Sequence, residues 1–206
     1  MSLARQGKEV NLRSKRAMEK LDITLVGLSP LLMNNPAKML NMNASKQTLG
    51  KKSIPLPKDE AEGSRYLLPD GHLYVPAIAV RNCFLSGTKG QLINRKSALP
   101  FISGGLLLID EAFPLYRNGE PIGGDAYSQD IRRAVIQRQG ITRVRARVEL
   151  PWELRCVFDY NSDIIDIDVI KTVAQRAGQI VGLLDYRVEK KGWFGRFEVG
   201  SISTNK

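Results

Sequence analysis

Apolar and polar positions alternate over Leu21–Leu28, where Leu21, Ile23 and Leu25 are set against Asp22, Thr24 and Val26. That period of two predicts a strand with one buried face. The alternation returns in Pro151–Tyr160, with Trp152, Leu154, Cys156 and Phe158 on one side, and Phe197–Ile202 reads as a closing strand. Gly104–Phe113 is a continuous apolar run and predicts a buried strand. Two other stretches follow the helical period. Pro76 suits the first turn of a helix running from Ala77 to about Gly87, with Val80 and Phe84 on a shared face. A second helix aligns Ile167, Ile170, Ala174, Ala177, Val181 and Leu184, and has Ser162, Asp163, Asp166 and Asp168 near its start as cap and dipole partners. Ser64–Val75 predicts a hairpin-like pair turning at Pro69-Asp70-Gly71.

The resulting order is strand, helix, strand, strand, helix, strand. It predicts an α+β chain with a ferredoxin-like or RRM-like βαββαβ core: a four-stranded antiparallel sheet with two helices on one face. Two long insertions interrupt it, at about 30–63 and 114–149. The first holds five lysines, no acids and four prolines between Pro30 and Lys58, and reads as a long loop. Gly50-Lys51-Lys52-Ser53 within it lacks the upstream glycine and preceding strand of a phosphate loop. Residues 1–20 carry six basic and two acidic side chains without periodicity, so a basic flexible arm is expected before a single domain at 21–206.

Charge changes this picture. A formal net charge of +10 on 206 residues points to a polyanionic partner, because cations set against phosphates release condensed counterions. A hydrophobic content of 43% is enough for a real core. Cys83 and Cys156 lie in apolar segments without Cys-x-x-Cys spacing and read as buried thiols in a reducing compartment. No apolar run is long enough to span a bilayer, and the basic N-terminus lacks the apolar segment of a secretory signal. A cytoplasmic protein with no membrane partner is expected.

The candidate chemistry is concentrated in two places. Arg143-Val144-Arg145-Ala146-Arg147-Val148 would, if extended, line three guanidiniums along one face at roughly 7 Å intervals. That interval is close to the phosphate spacing of an extended single strand, and each planar fork can grip a phosphate. Arg132, Arg133 and Arg138 lie nearby in sequence. The same row would equally serve as the solvated face of an edge hairpin. The second place is Gly178–Val199, where Gly178, Gly182, Gly192 and Gly195 punctuate a run holding Tyr186, Arg187, Lys190, Lys191, Trp193, Phe194 and Arg196. Main-chain N–H groups, cations and stacking faces together suit a nucleic-acid backbone and its bases. A connection with a solvated basic tip has the same composition, and at least one of Trp193 and Phe194 is expected in the core. Arg81, at the edge of the first helix's buried face, is either a further contact or a snorkelling boundary residue. Lys51 and Lys52 complete the candidate set. His72, the one histidine, reads as an exposed turn residue, with a general base as the alternative. No metal-ligand spacing, nucleophile elbow or cofactor motif is present.

Three stretches resemble the RAMP superfamily of CRISPR effectors, and most closely its backbone-subunit branch, the Cas-seven-like proteins that coat a guide RNA. Leu73–Leu85 (LYVPAIAVRNCFL) looks like the family's strand-Pro-helix segment, with Arg81 as the basic residue about a turn after the proline. The arginine-rich 114–149 stands where the family carries its thumb hairpin. GQIVGLLDYRVEKKGWFGRFEV resembles its Gly-rich loop and final Gly-Arg-Phe strand, with Leu184 standing where a further glycine is expected. The resemblance implies a non-catalytic protein binding single-stranded nucleic acid, RNA favoured over DNA, repeated along the strand as a homo-oligomer or filament, with other effector subunits as possible partners. A phage-type protein coating single-stranded DNA would share these features, and a metal-independent RNA-processing endonuclease of the same superfamily is the catalytic alternative.

Overall fold

The computed structural model describes residues 18–37, 56–136 and 139–205. In chain order the elements are β1 (Met18–Gly27), β2 (Leu31–Met33), α1 (Pro57–Gly63), β3 (Tyr74–Pro76), α2 (Ala77–Gly87), β4 (Leu92–Ile93), β5 (Lys96–Ser97), α3 (Leu99–Gly105) and β6 (Leu106–Leu108). There follow β7 (Ala112–Arg117), β8 (Glu120–Pro121), β9 (Ser128–Ile136), β10 (Gln139–Val148), β11 (Glu153–Asn161), α4 (Ile167–Ile180) and β12 (Phe197–Asn205).

The main sheet runs β12-β1-β11-β7-β3, with β6 also on β11 and β8 on β7. Taking β6 and β7 as one broken strand, this is the ferredoxin-like arrangement, with β1 and β11 central and antiparallel. The period-two face of β1 decides the register: Leu21 lies opposite Phe158, Ile23 opposite Cys156 and Leu25 opposite Leu154, and all six are buried. A one-residue slip would expose the whole row. α2 and α4 cover this face. Ile170, Val173, Ala174 and Ala177 of α4 meet Val80, Cys83 and Phe84 of α2 within one core cluster. Phe158 touches Phe113 edge-on at 5.4 Å and Phe84 at 6.0 Å between centroids.

Several expectations shift. Gly104–Phe113 is not one strand: Gly104 and Gly105 end α3, and Ile109–Glu111 separate β6 from β7. An apolar run alone does not distinguish a buried strand from a short buried helix. The chain therefore stays in the main sheet through β7 and β8, and the second insertion leaves it after Pro121, not at Pro114. The first insertion is not all loop, since it contains β2, fully buried, and α1, which starts with Pro57 followed by Asp59 and Glu60. Asp166 is the N-cap residue of α4, but its side chain makes no capping hydrogen bond. Cys83 and Cys156 are buried free thiols, and burial pushes both well above the usual thiol range. Among the described residues no helix is long and apolar enough to cross a membrane.

The remainder of the excursion, β9 and β10, joins β2 in a separate three-stranded sheet, β2-β10-β9. Val144, Ala146 and Val148 face inward and are buried, which leaves the alternate positions of β10 for arginine. Buried Ser64 ties this sheet to α1: its hydroxyl donates to the Ala61 carbonyl at 2.7 Å and accepts from the Ala146 N–H at 2.7 Å.

Candidate nucleic-acid interface

The long hairpin β9–β10 and the glycine-rich segment after α4 meet through β2. The Asp185 N–H donates to the Leu32 carbonyl at 3.0 Å, and the Gly195 N–H to that of Pro30 at 2.9 Å. The segment closes on itself where the Leu183 N–H donates to the Gly195 carbonyl at 2.9 Å. Gly195 has φ +70°, and a Cβ there would strike the backbone of Leu183, so only glycine fits the crossing. Leu184 (φ 61°), Tyr186 (φ 47°) and Lys191 (φ 62°) also adopt left-handed backbone. Each such residue costs on the order of 1–2 kcal/mol, which the cross-links to β2 offset. The leucine found where a glycine was expected thus keeps a glycine-like backbone. Non-glycine strain of this kind concentrates at functional sites.

Antiparallel pairing puts Arg143 opposite Arg132, Arg145 opposite Asp130 and Arg147 opposite Ser128, so these six side chains share one face of the hairpin. Arg133, opposite Thr142, points to the other face. The row of guanidiniums expected from the sequence exists, but it is not bare. Arg145, with a side chain only 12% exposed, has its Nε 2.6 Å from Asp185 Oδ2, in an ion pair too poorly aligned for a hydrogen bond. Arg147 Nη2 donates to Glu149 at 3.0 Å, and Arg132 Nε donates to buried Asp130 at 2.7 Å. Those hydrogen bonds hold the Arg132 guanidinium above its ordinary pKa, against a smaller effect of burial. Four arginines on this face therefore meet three carboxylates, two from the hairpin and its end and one from the loop. Arg143 has no partner among the described residues and stands across from another cation, an arrangement that favours an incoming anion.

The aromatics complete the face. Phe194 is fully buried, with Trp193 stacked at 4.6 Å and Tyr186 at 6.1 Å between centroids. The Arg132 guanidinium lies 4.9 Å from the Phe194 centroid and that of Arg147 5.8 Å. Trp193 is 47% exposed and Tyr186 38%, leaving their outer ring faces open to a base. Lys190, Lys191 and Arg196 are exposed on the same segment, without partners among the described residues. Arg187 instead pairs with Glu189 at 2.9 Å and donates to the Leu184 carbonyl at 3.1 Å.

The structure thus brings Arg132, Arg143, Arg145, Arg147, Tyr186 and Trp193 to one junction, while Arg187, Lys190, Lys191 and Arg196 lie elsewhere along the same glycine-rich segment. Arg81 stays apart from it: its guanidinium donates to the carbonyls of Ser103 at 2.7 Å and Leu106 at 3.2 Å, which caps the end of α3. Lys51, Lys52 and Arg138 lie outside the described residues. His72 sits in the turn, its Nδ1 3.2 Å from Asp70 Oδ1. Sequence reasoning assigned no role to Asp130, Asp185 and Glu149: the first and last stand two residues from their arginines, on the same face of an extended chain, and could have been found from that spacing, whereas nothing local marks Asp185 as the partner of Arg145.

No family model matches the sequence, and no curated protein matches it. Among solved structures, a chain in the cryo-EM structure of the Type III-B Cmr-beta bound to cognate target RNA is similar over 92% of this protein and 61% of that chain. The TM-score is 0.56 and the identity 14%. This protein therefore spans about three fifths of that chain's length, and the likeness is one of fold, in keeping with the ferredoxin-like α+β arrangement expected from the order of strands and helices.

Proposed function

We propose that this protein binds single-stranded nucleic acid, RNA in preference to DNA, without chemistry of its own, as a repeating backbone subunit of a ribonucleoprotein such as a CRISPR effector complex. The observation that carries the reading is the junction of hairpin and glycine-rich segment, where the Arg132 and Arg147 guanidiniums lie against a cluster of aromatic rings and cations without partners stand on the same two segments. Phosphates are gripped by Arg143, Lys190, Lys191 and Arg196, while the Trp193 and Tyr186 ring faces take bases. The fold neighbour's assembly with target RNA supports RNA as the ligand and effector subunits as partners.

The test is a titration of matched RNA and DNA oligonucleotides at several salt concentrations. Log affinity should fall linearly with log salt, by about 0.7 per phosphate contact on a single strand, with one slope for all sequences and tighter binding to RNA. Absence of binding at low salt would refute the reading.

Non-catalytic binding has its own test. A metal-independent nuclease needs a positioned base or acid, a contribution of about 10²–10⁴-fold in rate. His72 is engaged with its own turn, so His72→Ala should leave affinity unchanged and labelled RNA intact with or without chelator. Chelator-resistant products that vanish in His72→Ala would establish the processing enzyme instead.

A further inference from the structure

The end of the main sheet far from the junction carries a surface of the opposite sign. There β1 begins at Met18, opposite Asn161, the last residue of β11. The chain then turns tightly: the Asp163 N–H donates to Asn161 Oδ1 and the Ile164 N–H to the Asn161 carbonyl, both at 3.0 Å. On the other side of β11 lies β6, with Leu107 opposite Asp159, and its far edge pairs with no strand among the described residues. Gly105, just before β6, packs so closely on the turn that a Cβ there would press on Ile164 and Ile165. Met18, Leu107, Ile109 and Ile164 are thereby grouped at this end of the sheet, each between 39% and 44% exposed. Single exposed apolar side chains are ordinary, whereas a group of them rimmed by charge marks an interaction surface.

The rim is acidic in a chain whose net charge is +10. Residues 105–111 and 159–168 hold six carboxylates (Asp110, Glu111, Asp159, Asp163, Asp166 and Asp168) and no lysine or arginine. None of the six forms a salt bridge among the described residues. Asp166 and Asp168 gain from the N-terminal dipole of α4, although Asp166 makes no capping hydrogen bond. The other four have no such compensation. Lys20, paired with Asp159 in the register of β1 and β11, is the cation these strands set against them. Such a surface repels nucleic acid and suits a cationic segment that brings aliphatic side chains of its own.

We propose that residues 1–17 of this chain, which lie outside the described residues, dock on this surface. They hold five cations (Arg5, Lys8, Arg13, Lys15 and Arg16) against one acid, Glu9, and the apolar Leu3, Val10 and Leu12. The segment joins the sheet at Met18, beside Asn161 and the acidic turn. Neighbouring strands lie about 4.8 Å apart, so β6 is only about 10 Å from β1, two strands away. Seventeen residues reach up to about 60 Å when extended. So short a tether gives an effective concentration on the order of millimolar, enough to keep a weak ionic and apolar contact occupied. The five cations are then held by the protein itself and not by the strand. The inference goes beyond strand binding and does not depend on it.

The experiment applies zero-length carbodiimide coupling and timed tryptic digestion to the 206-residue protein and to Asp110→Asn/Glu111→Gln/Asp163→Asn. These side chains are exposed, and circular dichroism verifies the fold. In wild type at 0.1 M salt, Lys8 and Lys15 should couple to Asp159, Asp163 or Asp166 of the same chain. Cleavage after Arg13, Lys15 and Arg16 should be about fivefold faster or more in the variant. The two proteins should converge at 1 M salt, where the screening length falls to about 3 Å. A second variant, Leu107→Ser/Ile109→Ser, removes the apolar half of the contact and should also speed cleavage. Equal cleavage rates in wild type and both variants, or coupling of residues 1–17 only to other surfaces, would overturn the inference. Coupling found only between chains, read by mixing isotope-labelled and unlabelled protein, would overturn it in favour of a second copy's segment.

Discussion

Glutamine at Arg143, Lys190, Lys191 and Arg196 together is expected to weaken single-stranded RNA binding on the order of 10²–10³-fold at 0.1 M salt. The estimate follows from counterion release: four phosphate contacts contribute a slope of about 2.8 in log affinity against log salt, or nearly three decades between 1 M and 0.1 M. The salt slope should drop by about that amount. Stability should stay within about 0.5 kcal/mol, since none of these side chains has a partner among the described residues. Fluorescence anisotropy and urea titration measure both quantities. The contrast is Arg145→Ala, which leaves half-buried Asp185 without its cation and should act mainly on folding. The arginines most conspicuous in the sequence are therefore partly structural, and the free charge sits largely on the glycine-rich segment.

The second large effect separates two adjacent aromatics. Phe194→Ala should cost about 3–5 kcal/mol of stability, because a fully buried ring is removed from beneath Trp193, Tyr186, Arg132 and Arg147. For a chain of this size that lowers Tm by roughly 10 °C, with partial recovery in Phe194→Leu. Trp193→Ala removes an exposed ring instead. It should leave Tm nearly unchanged and weaken RNA binding by about 1–3 kcal/mol, the contribution of one stacked base. A Trp193→Ala protein that unfolds early, with RNA affinity intact, would contradict the assignment.

Much of the fold was legible because its signals are local. The alternations around Ile23 and Cys156 decide both strands and which face is buried, and the apolar spacing of α4 announces a helix. β2 was invisible, since three buried residues between prolines acquire strand character only by pairing with β10. α3 was hidden within an apolar run that suits a strand equally well. Of the site, residue types were legible and partnership was not. Arg143, Arg145 and Arg147 look alike along the chain, and what separates them is their partners: Asp185 of the loop for Arg145, Glu149 for Arg147, and for Arg143 another cation, Arg132, across the strand. Trp193 and Phe194 were likewise inseparable until the left-handed turn at Gly195 set one ring inward and the other toward solvent.

The most direct test of the central claim is photo-crosslinking of 4-thiouridine-labelled single-stranded RNA to the purified protein, followed by mass spectrometry of the attached peptides. Crosslinks are predicted at Tyr186 and Trp193 and on β10 near Arg143, and they should disappear in the four-glutamine variant at 0.1 M salt. Crosslinks confined to other surfaces, such as the β4–β5 hairpin around Arg95 or the outer face of α4, would contradict it.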